Sequence, residues 1–380
     1  MLKITGVFIW LMLSAVSLQG QRQREYLYVG TYAVRGSEGI YVYEFDREKN
    51  LFTLVQTVKT PESPTFIAVH PSGKFLYAVN RGSIPEKPNH GSVSAFRIDP
   101  LTGQLTGINH RTSFGRDPCH ISTDRSGKLA FVCNYNGGNI VVFPIGSDGT
   151  LGPCTDSVAF SGSSVHPSRQ EGPHPHSSFA SPDNRFLLVA DLGTDRVYSF
   201  SINSRDQKIT PGKKPFVTVA AGAGPRHFTF HPAAKYLYLA EELTSTVAVF
   251  SYAIKSGELK LVKDRVKSLP DDFGGSNTAA DIHTDAKGKY LFMSNRGHQS
   301  VAVFDIVNER NPVLKSTIPV AGEKPRNFLV DADNEFLLVA NQDTDNIVMF
   351  LFDEKNGTLK ETAVEIKTPS PVCLKMLKIK

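Results

Sequence analysis

The chain has 380 residues, 40% hydrophobic and 21% charged, with a formal net charge of +5. That is enough apolar material for a large core, and so mild a positive balance, with no run of five or more basic residues, excludes a nucleic-acid surface. Length alone suggests two or three ordinary domains, but all-β rings and barrels run longer as single units.

Taken in order, the chain begins with Lys3, an apolar run from Ile4 to Leu13, a few small and polar residues, and then the hydrophilic QRQRE. This is the layout of a secretory signal over residues 1–20, too short for a comfortable membrane span. The expected cut falls after Ser17 or Gly20, and no cysteine stands nearby to take a lipid. The mature chain, 21–380, is expected to be one soluble domain, periplasmic or secreted, with no membrane contact once the signal is removed. The four cysteines, Cys119, Cys133, Cys154 and Cys373, form no CxxC pair and so suggest no zinc site. Cys119 and Cys133 flank the turn DRSG; an oxidising compartment permits a disulfide there, but two reduced core thiols are expected.

From residue 64 onward one pattern returns: PTFIAVHPSGKFLYAVNRG from Pro64, PCHISTDRSGKLAFVCNYN from Pro118 and PHSSFASPDNRFLLVADLG from Pro175. It recurs as PRHFTFHPAAKYLYLAEEL from Pro225, ADIHTDAKGKYLFMSNRGH from Ala280 and PRNFLVDADNEFLLVANQD from Pro325. Each copy reads as strand, polar turn, strand. A third apolar strand follows, such as VSAFRI or VAVFDI, and then a looser fourth after a Gly-containing turn, as in GELKLVKD. Four antiparallel strands returning roughly every 50 residues are the mark of a β-propeller. Residues 26–58 supply second, third and fourth strands without a first, while the tail from Pro369 reads as a lone first strand. Joining them into a seventh blade closes the ring and leaves no open edge. The expectation is an all-β, seven-bladed propeller.

In such a ring the start of each first strand and the end of each second strand share one face, so equivalent slots can be compared within the chain. One slot at the end of the second strand holds Asn80, Asn134, Asp191, Glu241, Asn295 and Asn341, which is expected to bind its own turn. The next slot varies: Arg81, Tyr135, Leu192, Glu242, Arg296, Gln342. At the first strand, the slot after the usual proline reads Thr65, Cys119, His176, Arg226, Asp281, Arg326, and the following one Phe66, His120, Ser177, His227, Ile282, Asn327. His283, two residues after Asp281, falls on the same strand face. Charged residues of both signs and several histidines at one channel mouth point to a ligand site, although a merely solvated rim would look the same. His70 and His231 read as turn residues, as do Asp148, Asp195, Asp333 and Asp345. Three irregular connections, Arg81–His90, Ser161–Pro175 and roughly Val266–Ala280, open on that face and are expected to wall a pocket. No GxSxG, Walker, HExxH or EF-hand pattern occurs, and neither metal nor cofactor is expected.

GAGPRH with EEL, AADIH with SNRG, KPRNF, CHISTDRSGK with CNYNGGN, and HSSFASPDNR together resemble the seven-bladed propeller lactonases. That family is typified by the propeller-type 6-phosphogluconolactonases, with the carboxymuconate-lactonising enzymes as distant kin. The resemblance spans the mature chain and implies metal-independent hydrolysis of a sugar (aldono-δ-) lactone, with His176, Arg226, Glu242 and Arg296 as the catalytic set. On that reading Glu242 or His176 is the general base, and Arg226 and Arg296 stabilise the oxyanion. Arg326 binds a carboxylate or phosphate, while His227, Asp281 and His283 orient these groups or bind sugar hydroxyls. Arg81, Tyr135 and His120 complete the substrate-binding set. Two departures stand out. This chain has Glu241–Glu242 where the family commonly has Asn–Glu, and an exported protein would rarely meet a phosphorylated lactone. The competing expectations are a non-catalytic exported propeller that binds a saccharide or anion, and a lactonising isomerase of the muconate type.

Overall fold

The computed structural model describes residues 24–60, 62–83 and 87–379. The signal at 1–20 lies outside the described residues. All regular elements among them are strands, and these form seven four-stranded antiparallel sheets. Numbered in chain order, blades 1 to 6 begin with the inner strands Ser63–Val69, Pro118–Thr123, Pro175–Ala180, Pro225–Phe230, Thr278–Thr284 and Pro325–Val330. Blade 7 is the expected composite. The C-terminal strand Pro371–Ile379 pairs antiparallel with Arg24–Thr31, in register from Arg24↔Ile379 to Gly30↔Cys373. The ring therefore closes without a free edge.

Strand position sets composition. Second strands such as Leu129–Asn134 and Phe336–Asn341 are buried at every residue, since neighbouring blades cover both faces. Outer strands such as Leu51–Lys59 and Thr358–Lys367 are largely exposed or half-buried. The turns before the outer strands carry glycines for a packing reason. A Cβ on Gly103 would lie 2.4 Å from the Tyr26 ring of blade 7, and one on Gly257 2.4 Å from the Phe186 ring of blade 3, both at positive φ. Each glycine lets its turn close over an aromatic of the preceding blade.

The pairing also corrects one sequence alignment. Pro64, Pro118, Pro175, Pro225 and Pro325 pair with Asn80, Asn134, Asp191, Glu241 and Asn341. In blade 5 it is Ala279 that pairs with Asn295. Ala279 thus occupies the proline position and Ala280 shares the slot of Arg226. Asp281 lies one residue deeper, in the slot of His227. Counting from Ala280, with no proline to anchor the register, moved that segment by one. The register shifts just after these positions, between Pro225 and Phe228 and between Ala279 and Ile282, so both slots fall in an irregular stretch where side chains are re-aimed.

Candidate active site

Two rings of side chains stack at the channel mouth. The deeper ring zips each blade to the next. His120 packs against Phe66 of blade 1 at 4.3 Å between ring centres, and its Nδ1 accepts from Ser178 N at 3.3 Å. Ser177 Oγ donates to Arg226 O at 2.7 Å. His227 Nδ1 meets Asp281 Oδ1 at 2.7 Å, and Asp281 Oδ2 accepts from Phe328 N at 3.4 Å. Asn327 Oδ1 accepts from Leu374 N at 2.7 Å, and Ile67 N donates to Cys373 Sγ at 3.4 Å. One slot thereby joins all seven blades.

Above this ring lies a cavity of about 270 Å³ lined by Tyr32, Thr65, Arg81, Asp117, Cys119, Tyr135, Arg169, His176, Glu242, Thr278, Arg296 and Arg326. Of the expected site residues, His176, Glu242, Arg296, Arg326, Arg81 and Tyr135 are therefore brought together. Arg226 is only 1% exposed and sits beneath the floor, as do His227 and Asp281. His120 belongs to the deeper ring, and His283 contacts Asp281 rather than the cavity, with Nε2 2.9 Å from Oδ2. None of His120, His227, Asp281 and His283 lines this cavity, which leaves for His227, Asp281 and His283 the expected role of orienting the groups above them rather than contact within it.

Glu242 organises the cavity floor. Its Oε1 accepts from Arg169 Nη2 at 2.5 Å, while Oε2 lies 2.8 Å from Arg226 Nε and 3.1 Å from Arg296 Nη2. Burial alone would raise its pKa, but the guanidiniums of Arg296, Arg226 and Arg169 outweigh burial and hold it well below the usual carboxylate range. Arg226 is fixed from both ends. Asp195 accepts from the backbone N–H groups of Gly222 and Gly224, each at 2.8 Å, setting the turn before it, and its Nη1 donates to Ala280 O at 2.5 Å. Arg226 anchors Glu242 from below and does not line the cavity. Arg296 does reach it, steadied by its Nη2 donating to Ala279 O at 2.9 Å.

His176 is 4% exposed, and its Nδ1 is buried without a hydrogen-bond partner. Burial first, then the nearby Arg226 and His227, push its pKa well below that of free imidazole, so it is neutral at pH 7. Glu241, in the adjacent slot, behaves oppositely to Glu242. It is fully buried, accepts from Thr246 Oγ1, and burial pushes its pKa up to about 8. It belongs to the turn, as expected from its slot. The turn histidines are structural too: His70 Nε2 pairs with Gly127 O at 2.9 Å and His231 Nε2 with Gly288 O at 3.0 Å. The four cysteines are free thiols.

Arg169 and Tyr32 were not singled out from the sequence. Arg169 comes from the irregular Ser161–Pro175 connection, pinned by the buried Gln170, whose Nε2 donates to Leu192 O at 2.8 Å; Tyr135 Oη accepts from Arg169 Nη2 at 3.2 Å. Tyr32 follows Thr31, which pairs with Pro371, so it is blade 7's counterpart of Glu242. Extending the slot comparison to the split blade would have found it. Arg326 lies 5.5 Å from the centre of the Tyr32 ring, and Arg81 Nε pairs with Asp117 Oδ1 at 2.6 Å.

The fold and cavity define a propeller with a buried neutral histidine and an arginine-rich floor at its channel mouth, and no metal-holding cluster of His, Cys, Asp or Glu among the described residues. The sequence matches the family described as "Lactonase, 7-bladed beta-propeller" over residues 26–376, and the chain belongs to that family. It is 35% identical over 353 residues to a 6-phosphogluconolactonase of Bacillus subtilis, covering 92% of this chain and 97% of that one. A 6-phosphogluconolactonase of Formosa agariphila is 35% identical over 357 residues, covering 92% and 99%. The solved periplasmic gluconolactonase of Pseudomonas aeruginosa superposes with a TM-score of 0.87 at 29% identity, covering 94% of this chain and all of that one (100%).

Proposed function

We propose that the protein hydrolyses the δ-lactone of an aldonic acid, with His176 as general base. The observation that carries this reading is the division of labour on the cavity floor. Glu242 is saturated by three guanidiniums and makes a poor proton acceptor, whereas His176 is neutral and lines the same cavity. His176 takes a proton from a water that attacks the ring carbonyl, and Arg296, which lines the same cavity, holds the developing oxyanion. The lining has four arginines, Arg81, Arg169, Arg296 and Arg326, against two carboxylates, Asp117 and Glu242. A lactone is neutral while its tetrahedral intermediate and product are anionic, so this excess favours the transition state over the ground state. Arg326 suits the product carboxylate or another anionic group on the substrate.

The signal-like residues 1–20 and the periplasmic relative support export, where unphosphorylated lactones are the available substrates. The test is acid release from glucono-δ-lactone and from its 6-phosphate, followed against the spontaneous rate. Acceleration of either supports the reading. Buffer-level rates with both, alongside tight binding of gluconate, would point instead to a binding propeller.

A further inference from the structure

Beneath the cavity, buried imidazole nitrogens without partners gather around one ring. His176 Nδ1, His227 Nε2 and His120 Nε2 are all buried and make no hydrogen bond. The ring of His227 lies 5.2 Å from that of His176 and 5.6 Å from that of His120. An unpaired buried polar atom is costly, and three together call for an explanation.

The tautomers follow from the partners. Asp281 is held well below the usual carboxylate range: burial opposes this, but His283 and His227 prevail. It can only accept, so His227 carries its hydrogen on Nδ1, donates it to Asp281 Oδ1 at 2.7 Å, and keeps a free lone pair on Nε2. His283 Nε2 donates to the other carboxylate oxygen at 2.9 Å, and Asn327 Nδ2 donates to it as well. His120, whose Nδ1 accepts from Ser178, carries its hydrogen on Nε2. His176 has no carboxylate against it, and Arg226, Arg326 and Arg296 all oppose a positive charge there. His227 also faces Arg226, but alone of the pair it has a carboxylate in contact.

We propose that the His227–Asp281 pair is a proton-holding partner for His176, storing the proton of the attacking water during the hydrolysis proposed above. In this scheme His176 carries its hydrogen on Nδ1. That nitrogen and His227 Nε2 are not hydrogen-bonded at rest, with the ring centres 5.2 Å apart. The rings close on each other as His176 accepts the water proton on its other nitrogen and passes the Nδ1 hydrogen to His227 Nε2. His176 stays neutral, and His227 becomes an imidazolium beside the Asp281 carboxylate. When the intermediate collapses the transfers reverse: His227 returns its proton to His176 Nδ1, and His176 delivers one to the departing ring oxygen. One water is consumed and one hydroxy acid formed, which then ionises. His227 and Asp281 touch no substrate and are positioning residues in this scheme; Asp281 fixes the tautomer of His227 and balances its charge.

The scheme rests on the lactonase reading, so its test has one arm that needs no turnover. In protein labelled with 15N-histidine, the nitrogen shifts of resting His227 should show hydrogen on Nδ1 and a bare Nε2, and Asp281→Asn should redistribute that hydrogen. A wild-type His227 with its hydrogen on Nε2 overturns the proposal whatever the enzyme does. In the kinetic arm, Asp281→Asn and His227→Gln should each lower kcat about 100-fold with KM little changed, and the double variant should be no worse than either single one. Wild-type kcat in either variant, a loss confined to KM, or multiplicative losses in the double variant would refute it.

Discussion

The two walls of the cavity use equivalent slots but pair their arginines differently. On the wall of blades 4 and 5, Arg226, Arg296 and the loop-borne Arg169 all converge on one carboxylate, Glu242, and a buried guanidinium becomes a fixed part of the floor. Across the mouth, Arg326 lies against the Tyr32 ring with no carboxylate at ion-pair distance among the described residues, and Arg81 is paired with Asp117 near the surface. There burial would raise the Tyr32 pKa, but Arg326 and Arg81 overcome it and the phenol is easier to ionise than usual. One wall ties its guanidiniums to a shared carboxylate and holds them rigid; the other keeps Arg326 against an aromatic ring, without an ion-pair partner among the described residues. The first suits holding geometry for a reaction, and the second suits receiving an anion.

Removing the anchor is the severest way to break this contrast. Glu242→Gln leaves three guanidiniums, that of Arg226 deeply buried and that of Arg296 largely so, facing one another without a counter-ion. The expected cost is about 3–5 kcal/mol of unfolding free energy, measured by urea denaturation. A smaller loss would mean that solvent already screens the cluster.

Acid attacks the same wall by another route. His227 has its pKa pushed down to about 4, mainly by burial and then by Arg226, with Asp281 opposing. An unfolded chain binds that proton near pH 6.5 and the folded one does not, so the stabilising effect of keeping His227 neutral is complete above about pH 6.5 and lost as pH falls toward 4. The span corresponds to about 3 kcal/mol, to which the similarly buried His120 and His176 add in the same direction. Thermal melts from pH 7 to 4 check it, and His227→Gln should flatten the dependence.

On the opposite wall the effects are smaller. Arg326→Gln should weaken binding of an aldonate product about tenfold, read by calorimetry, while stability stays within about 1 kcal/mol of wild type. Smallest of all is Glu241→Gln. A carboxyl with a pKa of about 8 is already mostly protonated at pH 7, so an amide of the same shape should change stability by less than about 1 kcal/mol. The neighbouring pair Glu241 and Glu242 then becomes an internal control: equal burial, opposite charge state, different consequence.

The ring and its closure were legible because each blade buries its second strand on both faces, and FLYAVN, FLLVAD and FLLVAN repeat that demand in register. The end of the second strand could be read for the same reason: it is tied to its strand by continuous pairing. The start of the first strand was harder. A register shift sits there, and without a proline at Ala279 nothing in the sequence marks how far Asp281 has moved inward. Arg169 had no counterpart in other blades to be compared with, since its loop obeys no repeat. That Arg226 lies under the floor was beyond reach of any slot comparison. Its slot puts it at the mouth, and only the pull of Glu242 and Ala280 O turns it inward.

The central claim is that a neutral His176, not the arginine-bound Glu242, takes the proton from water. Acid release from glucono-δ-lactone by wild type and His176→Ala, paired with calorimetric binding of gluconate, tests it most directly. The account predicts about a 1,000-fold fall in the enzymatic rate with gluconate affinity retained. A His176→Ala enzyme that turns over at the wild-type rate would contradict it.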